Sequence, residues 1–157
     1  MLRQGESSTI YTVGSSTRQA PEFVVFLQCY QIATLVDVRT YHYSKRFSHF
    51  SKESLEGIIH SAGLRSVYLG KELDGFRSGG YGAYMQSAEF AQGLNGLIAI
   101  AREGRAAFMC SERLPWRCHR RFIASELEAR GWRVTHIIDK DRIWQSSMTG
   151  DRRPMTV

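Results

Sequence analysis

Residues 106–131 read AAFMCSERLPWRCHRRFIASELEARG. An apolar run from Ala106 to Met109 ends in Cys110. A polar loop with Glu112, Arg113, Pro115 and Trp116 follows, and Cys118-His119-Arg120-Arg121 then open a helix. Ile123 and Leu127 fall one and two turns after His119, which gives that helix an apolar face. Gly131 supplies its stop. Strand, loop and helix in this order are the repeating unit of an open α/β sheet, whose ligands sit outside the carboxyl ends of the strands. Thiols, a carboxylate, an imidazole and guanidinium groups crowd this one junction.

The same alternation runs outward from it. Ile10 to Val13 is a short β-type run ending at Gly14. Pro21 suits the first turn of a helix in which Phe23, Phe26, Leu27 and Tyr30 share one face, with Cys29 read as a buried, inert thiol beside them. Thr34 to Val38 is a second strand, apolar enough to be covered on both faces and broken only by Asp37. Ser51 caps a helix that Gly63 terminates, and Ser66 to Leu69 is a third strand. Five glycines between Gly70 and Ala83 argue for an irregular flap. Ser87 caps a helix to about Glu103, and Val134 to Ile138 is the fifth strand. The expected fold is therefore a three-layer α/β/α sandwich with a five-stranded, mainly parallel sheet. The expected organisation is a single α/β domain over residues 1–157, with a core at 9–138 and a polar tail at 139–157.

The 157 residues carry a formal charge of +6, with a pI near 9.5. That charge fits a nucleic acid, nucleotide or other anionic partner, although the basic residues are spread rather than run together. No apolar run approaches a membrane span, and the N-terminal residues lack a secretory pattern, so no membrane partner and a cytoplasmic location are expected. Three cysteines, an odd number, do not make a disulfide framework.

In a parallel sheet the residues after each strand share one edge. Here that edge gathers Ser16, Thr17 and Arg18, then Asp37 and Arg39, then Glu72, then Cys110 with Glu112, and finally His136. Cys110, Glu112, Cys118, His119 and Asp37 are the candidate catalytic residues. A thiol at a helix start has its pKa lowered by unpaired N–H groups, and an imidazole beside it can act as base. Ser16, Thr17, Arg18, Arg39, Arg46, Glu72, Tyr84, Arg120 and His136 are the candidate ligand-binding residues, the arginines for an anion and the aromatics for stacking. A metal held by Cys110, Cys118 and His119 is disfavoured, because the spacing matches no standard zinc pattern and adjacent helical residues point about 100° apart. No cofactor is required by the sequence.

These motifs together resemble the domain-of-unknown-function 488 family. Thr12-Val13-Gly14-Ser15-Ser16-Thr17-Arg18 stands where the family has T-I/V-G-H-S-T/N-R, with Ser15 replacing the common histidine. Leu35 to Arg39 matches L-V-D-V-R, and Arg46-Phe47-Ser48-His49-Phe50 matches R-F-P-x-F without its proline. C-x-E-x-x-P-x-x-C-H-R is intact as Cys110, Glu112, Pro115, Cys118, His119 and Arg120. The resemblance implies a single α/β domain with an edge site and names no reaction.

Three functions compete. An enzyme acting on a nucleic-acid base, nucleotide or related anionic ligand accounts for the charge and for Tyr41, Tyr43, Tyr84 and Trp116. A rhodanese-like or phosphatase-like cysteine-dependent transferase accounts for Asp37-Val38-Arg39 and for Cys110 at a strand end. Against its phosphatase form, Trp116 occupies the position where C-x5-R spacing needs arginine. A non-catalytic binding or regulatory module, its edge charges paired with one another, is the third.

Overall fold

The computed structural model describes residues 8–39, 51–75, 77, 79–145 and 155–156. Strand β1 (Thr9–Gly14) leads to α1 (Ala20–Cys29), β2 (Thr34–Asp37), α2 (Lys52–Ser61) and β3 (Arg65–Tyr68). Two single helical turns, α3 (Gly70–Leu73) and α4 (Tyr81–Tyr84), precede α5 (Ala88–Glu103). Then come β4 (Ala106–Cys110), a 3-10 turn (Pro115–Arg117), α6 (Arg120–Ala129), β5 (Arg133–Asp139), β6 (Arg142–Trp144) and β7 (Met155–Thr156).

The sheet order is β3-β2-β4-β1-β5-β6-β7. The first five of these strands are parallel to one another, and β6 and β7 are antiparallel additions. Side chains alternate across the sheet and build two cores. Leu35, Ala107, Met109 and Ile137 pack with Phe23 and Leu27 of α1 and Leu55 and Ile59 of α2. Val36, Ala106, Phe108 and Val134 pack on the other face with Leu94 and Leu97 of α5 and Ile123 and Leu127 of α6. This is the expected three-layer α/β/α arrangement. Its local signals are also in place: the Ser51 and Ser87 hydroxyls accept from the amides of Ser54 and Phe90, and Gly63 and Gly131 end α2 and α6 at φ +82° and +92°.

Four expectations need correction. The sheet has more than five strands, because β5 runs on to Asp139 and a tight turn brings β6 back against it inside the supposed tail. Ile143 and Trp144 make too short an apolar signal to stand out, yet Trp144 is buried. The glycine-rich segment is not irregular throughout: Leu73 and Tyr81 are buried, and the Tyr81 hydroxyl donates to the Leu73 carbonyl at 2.9 Å. Gly93 of α5 makes room for it, since a Cβ there would meet Glu72 and Leu73 side-chain atoms at 2.6–3.0 Å. Cys29 is exposed rather than buried. Finally, α6 begins at Arg120, two residues later than Cys118, which is still extended at φ −136°. Tyr41, Tyr43 and Arg46 lie outside the described residues.

Candidate active site

Parallel pairing brings the predicted residues to one rim. Asp37 is in register with Met109, and Gly14 with Cys110, so β2, β4 and β1 end side by side. The backbone pairing continues past the strands, with Ser15 N donating to Cys110 O at 2.9 Å and Ser16 N to Ser111 O at 2.8 Å. Ser16 turns the chain in the left-handed region at φ 49°, and Thr17 is exposed beyond it. The loop after β4 crosses the end of β1, where a Cβ on Gly14 would overlap the Glu112 carbonyl.

Alternation then divides the rim. Asp37 shares the face of Leu35, toward α1 and α2, and Cys110 shares the face of Phe108, toward α5 and α6. On the first face Asp37 accepts two bonds from the Arg39 guanidinium, each 2.9 Å, and one from the Arg39 amide at 3.0 Å. Arg18 lies over the Phe26 ring at 4.5 Å. It donates to the carbonyls of Gly14 and Ile138 and lies 3.7 Å from the Asp139 carboxylate. Asp139 also accepts from Arg113 at 2.5 Å, and these guanidinium groups hold its carboxyl below the usual range. Arg18 and Arg39 therefore fasten the rim to itself.

On the second face the sulfurs of Cys110 and Cys118 lie in direct contact, with their Cα atoms 7.6 Å apart. Cys110 is the inner partner, 3 % exposed at the end of β4, and Cys118 is the half-buried outer one. The Arg120 amide approaches Cys118 Sγ at 3.5 Å, so the sulfur caps the start of α6 as a thiolate would. His119 Nδ1 lies 3.4 Å from the same sulfur, and its Nε2 is 3.1 Å from the Val38 carbonyl. A carbonyl only accepts, so Nε2 carries the hydrogen and Nδ1 turns its lone pair to Cys118. Burial pushes the His119 imidazole below its ordinary value, against the pull of the Val38 carbonyl. Two residues that spacing does not reveal hold the ring. Tyr81 packs at 5.5 Å between centroids, and Gly75 lies so close that a Cβ would come within 2.7 Å of Nδ1.

Arg120 sits beneath this pair, not in contact with solvent. It is 0 % exposed and donates to Thr12 Oγ1 at 3.0 Å and to the carbonyls of Glu112 and Arg113 at 2.6 and 3.2 Å. Burial pulls its pKa down to about 9. The guanidinium thus braces the 111–117 loop. Glu112 is exposed, and its carboxylate accepts from the Leu114 amide at 3.3 Å. His136 is buried against Trp144, with Nδ1 2.6 Å from Thr12 Oγ1. Glu72 contributes its carbonyl to the Tyr84 hydroxyl at 2.5 Å, and the Tyr84 ring lies 3.7 Å beneath the Arg77 guanidinium. Among the described residues no group of three or more His, Cys, Asp or Glu side chains is placed to hold a metal ion.

The family described as "Domain of unknown function DUF488" matches the chain over residues 19–127, which takes in α1 through most of α6. No curated protein and no solved structure matches it. No helix among the described residues is long and apolar enough to cross a membrane.

Proposed function

The chain belongs to the DUF488 family, and from its site geometry we propose that the rim on the α6 side is a cysteine-dependent, rhodanese-like sulfur-transfer site. The observation that carries this reading is the unprotonated Nδ1 of His119 lying 3.4 Å from Cys118 Sγ, with the Cys110 sulfur against that same sulfur. In the reduced protein His119 takes the Cys118 proton, and the Arg120 amide stabilises the thiolate. The thiolate attacks the outer sulfur of a sulfane donor such as thiosulfate. Sulfite leaves with the electron pair of the broken S–S bond, and Cys118 holds a persulfide. An acceptor thiolate can then take the outer sulfur, which returns Cys118 to thiolate. Without an acceptor, Cys110 attacks Cys118 Sγ, expels hydrosulfide and leaves the Cys110–Cys118 disulfide.

Phosphoryl transfer has less support. The loop turns the carbonyls of Glu112 and Arg113 inward to Arg120, whereas a phosphate cradle needs inward N–H groups. A cytoplasmic setting, with a thiol pool to re-reduce the pair, suits this chemistry.

Intact-mass measurement of the reduced protein after thiosulfate treatment tests the reading. Cys110→Ser should gain one sulfur, wild type should lose two hydrogens as its disulfide closes, and Cys118→Ser should do neither. Absence of the adduct from Cys110→Ser would overturn it and favour a structural clasp in a non-catalytic module.

A further inference from the structure

Between α6 and β6 lies a cleft of about 400 Å³, lined among others by Trp116, Phe122, Ser125, Glu128, His136 and Trp144. The thiol chemistry makes no use of it. Its size is at the small end of ligand sites, which span about 300–1,000 Å³. Trp116 meets Trp144 edge to face with centroids 5.6 Å apart, and His136 lies against Trp144 at 4.9 Å. The walls are thus aromatic on both the loop and the sheet side.

The polar groups are what give the cleft a chemistry. Thr12 Oγ1 receives a hydrogen from Arg120 Nη1 and lies 2.6 Å from His136 Nδ1. His136 Nε2 has no hydrogen-bond partner among the described residues, and the ring lines the cleft. Burial, with the nearby Arg120 charge, keeps that imidazole unprotonated well below its ordinary value. Trp144 is 4 % exposed, and its Nε1–H is buried with no hydrogen-bond partner among the described residues. A buried donor left without an acceptor is costly, about 1–3 kcal/mol, and native interiors contain few. Here the Trp144 indole N–H is in this condition, and it belongs to a side chain that packs against the His136 ring in one aromatic cleft. The Ser125 hydroxyl and the half-buried Glu128 carboxyl complete the polar set.

We propose that this cleft binds a nucleobase, stacked against the Trp116 and Trp144 indoles and hydrogen-bonded at its edge by His136, Trp144 and Glu128. A planar ring whose rim alternates acceptors and donors matches aromatic walls with a spare indole N–H, an imidazole nitrogen and one carboxyl group. An acyl chain would leave the Trp144 N–H unmatched, and a sugar would leave the indoles uncovered. The chain's net charge of +6 favours a base that arrives with phosphate attached.

The test uses the indole N–H signals of the whole protein, which carries three tryptophans. Trp132 lines a separate cleft with Thr9 and Arg105 and serves as the internal reference. Adenosine, guanosine, cytidine and uridine are titrated separately, with toluene as an aromatic lacking acceptors and a single-stranded tetranucleotide as the polymer source. The Trp144 signal should move and saturate with Kd of about 1 mM or tighter for at least one nucleoside, while Trp132 stays still. Tighter binding of the tetranucleotide that weakens as salt rises would identify a strand as the source of the base, and equal binding would identify a free nucleotide. Ser125→Tyr, which fills the cleft from an exposed position on α6, should weaken binding about tenfold or more. Cys118→Ser should leave it unchanged, which separates this inference from the sulfur-transfer reading. A Trp144 signal unmoved by every nucleoside, moved equally by toluene, or titrating unchanged in Ser125→Tyr would overturn it.

Discussion

His119 is bound at both ring nitrogens, to the Val38 carbonyl at 3.1 Å and to Cys118 Sγ at 3.4 Å. Because the first partner can only accept, the second faces a basic nitrogen. Alkylation of reduced Cys118 by iodoacetamide should therefore be fast, and His119→Gln should slow it by about 100-fold. Burial lowers the imidazole pKa, so the neutral base persists below the ordinary histidine value. The wild-type rate should hold as pH falls through that region. The rate of the variant should instead follow an ordinary thiol, with pKa about 8.5. Identical pH profiles for the two proteins would remove His119 from the mechanism.

Gly75 leaves the imidazole its place. A Cβ there would press to 2.7 Å from Nδ1 and 2.8 Å from Cγ. The residue is exposed, and its backbone needs no left-handed conformation. Gly75→Ala should thus cost less than about 1 kcal/mol of stability in urea melts yet slow Cys118 alkylation in the manner of His119→Gln. A variant with wild-type alkylation kinetics would show that the ring has freedom to shift.

Arg120 holds the loop from below. Removing its guanidinium leaves Thr12 and the carbonyls of Glu112 and Arg113 without their donor in the interior. Arg120→Met, which keeps the aliphatic volume, should lower unfolding free energy by about 2–4 kcal/mol. Equilibrium denaturation reads this directly, and a loss below about 0.5 kcal/mol would mean that water replaces the guanidinium.

Burial holds the folded pKa values of His136 and His119 below the ordinary histidine value of 6.5, His136 well below it. The unfolded chain therefore binds more protons than the folded one in acid, and stability falls with falling pH. The histidine contribution should be intact above the unfolded value of about 6.5 and erode as pH drops below it. Urea midpoints measured from pH 7 to 5 should decline, and the decline should be shallower in His136→Asn. An unchanged slope in that variant would place the acid sensitivity elsewhere.

The α/β order, the strand ends and the capping residues were legible because each rests on local chemistry. Apolar runs mark β1, β2, β4 and β5, and Ser51, Ser87, Gly63 and Gly131 act within one helical turn of themselves. The 70–83 segment departs from its sequence signal for the opposite reason. Five glycines signal irregular backbone when counted alone, but Leu73 and Tyr81 bury into the α5 side of the core, and that burial outweighs the glycine entropy cost. β6 was missed because three residues carry almost no periodic signal until β5 offers them an edge.

The sequence by itself determined that Asp37, Cys110, Gly14 and their successors would end at one rim, since helical crossovers force parallel strands. Tertiary structure decided which of them meet. Strand alternation sends Asp37 and Cys110 to opposite faces, so the arginine–carboxylate pairs close one side and the cysteine–imidazole pair occupies the other. Pairing across more than a hundred residues, as between Thr12 and His136 or Thr12 and Arg120, depends on strand order and register. Those are set by how all the apolar faces pack at once, and no single stretch of chain encodes that.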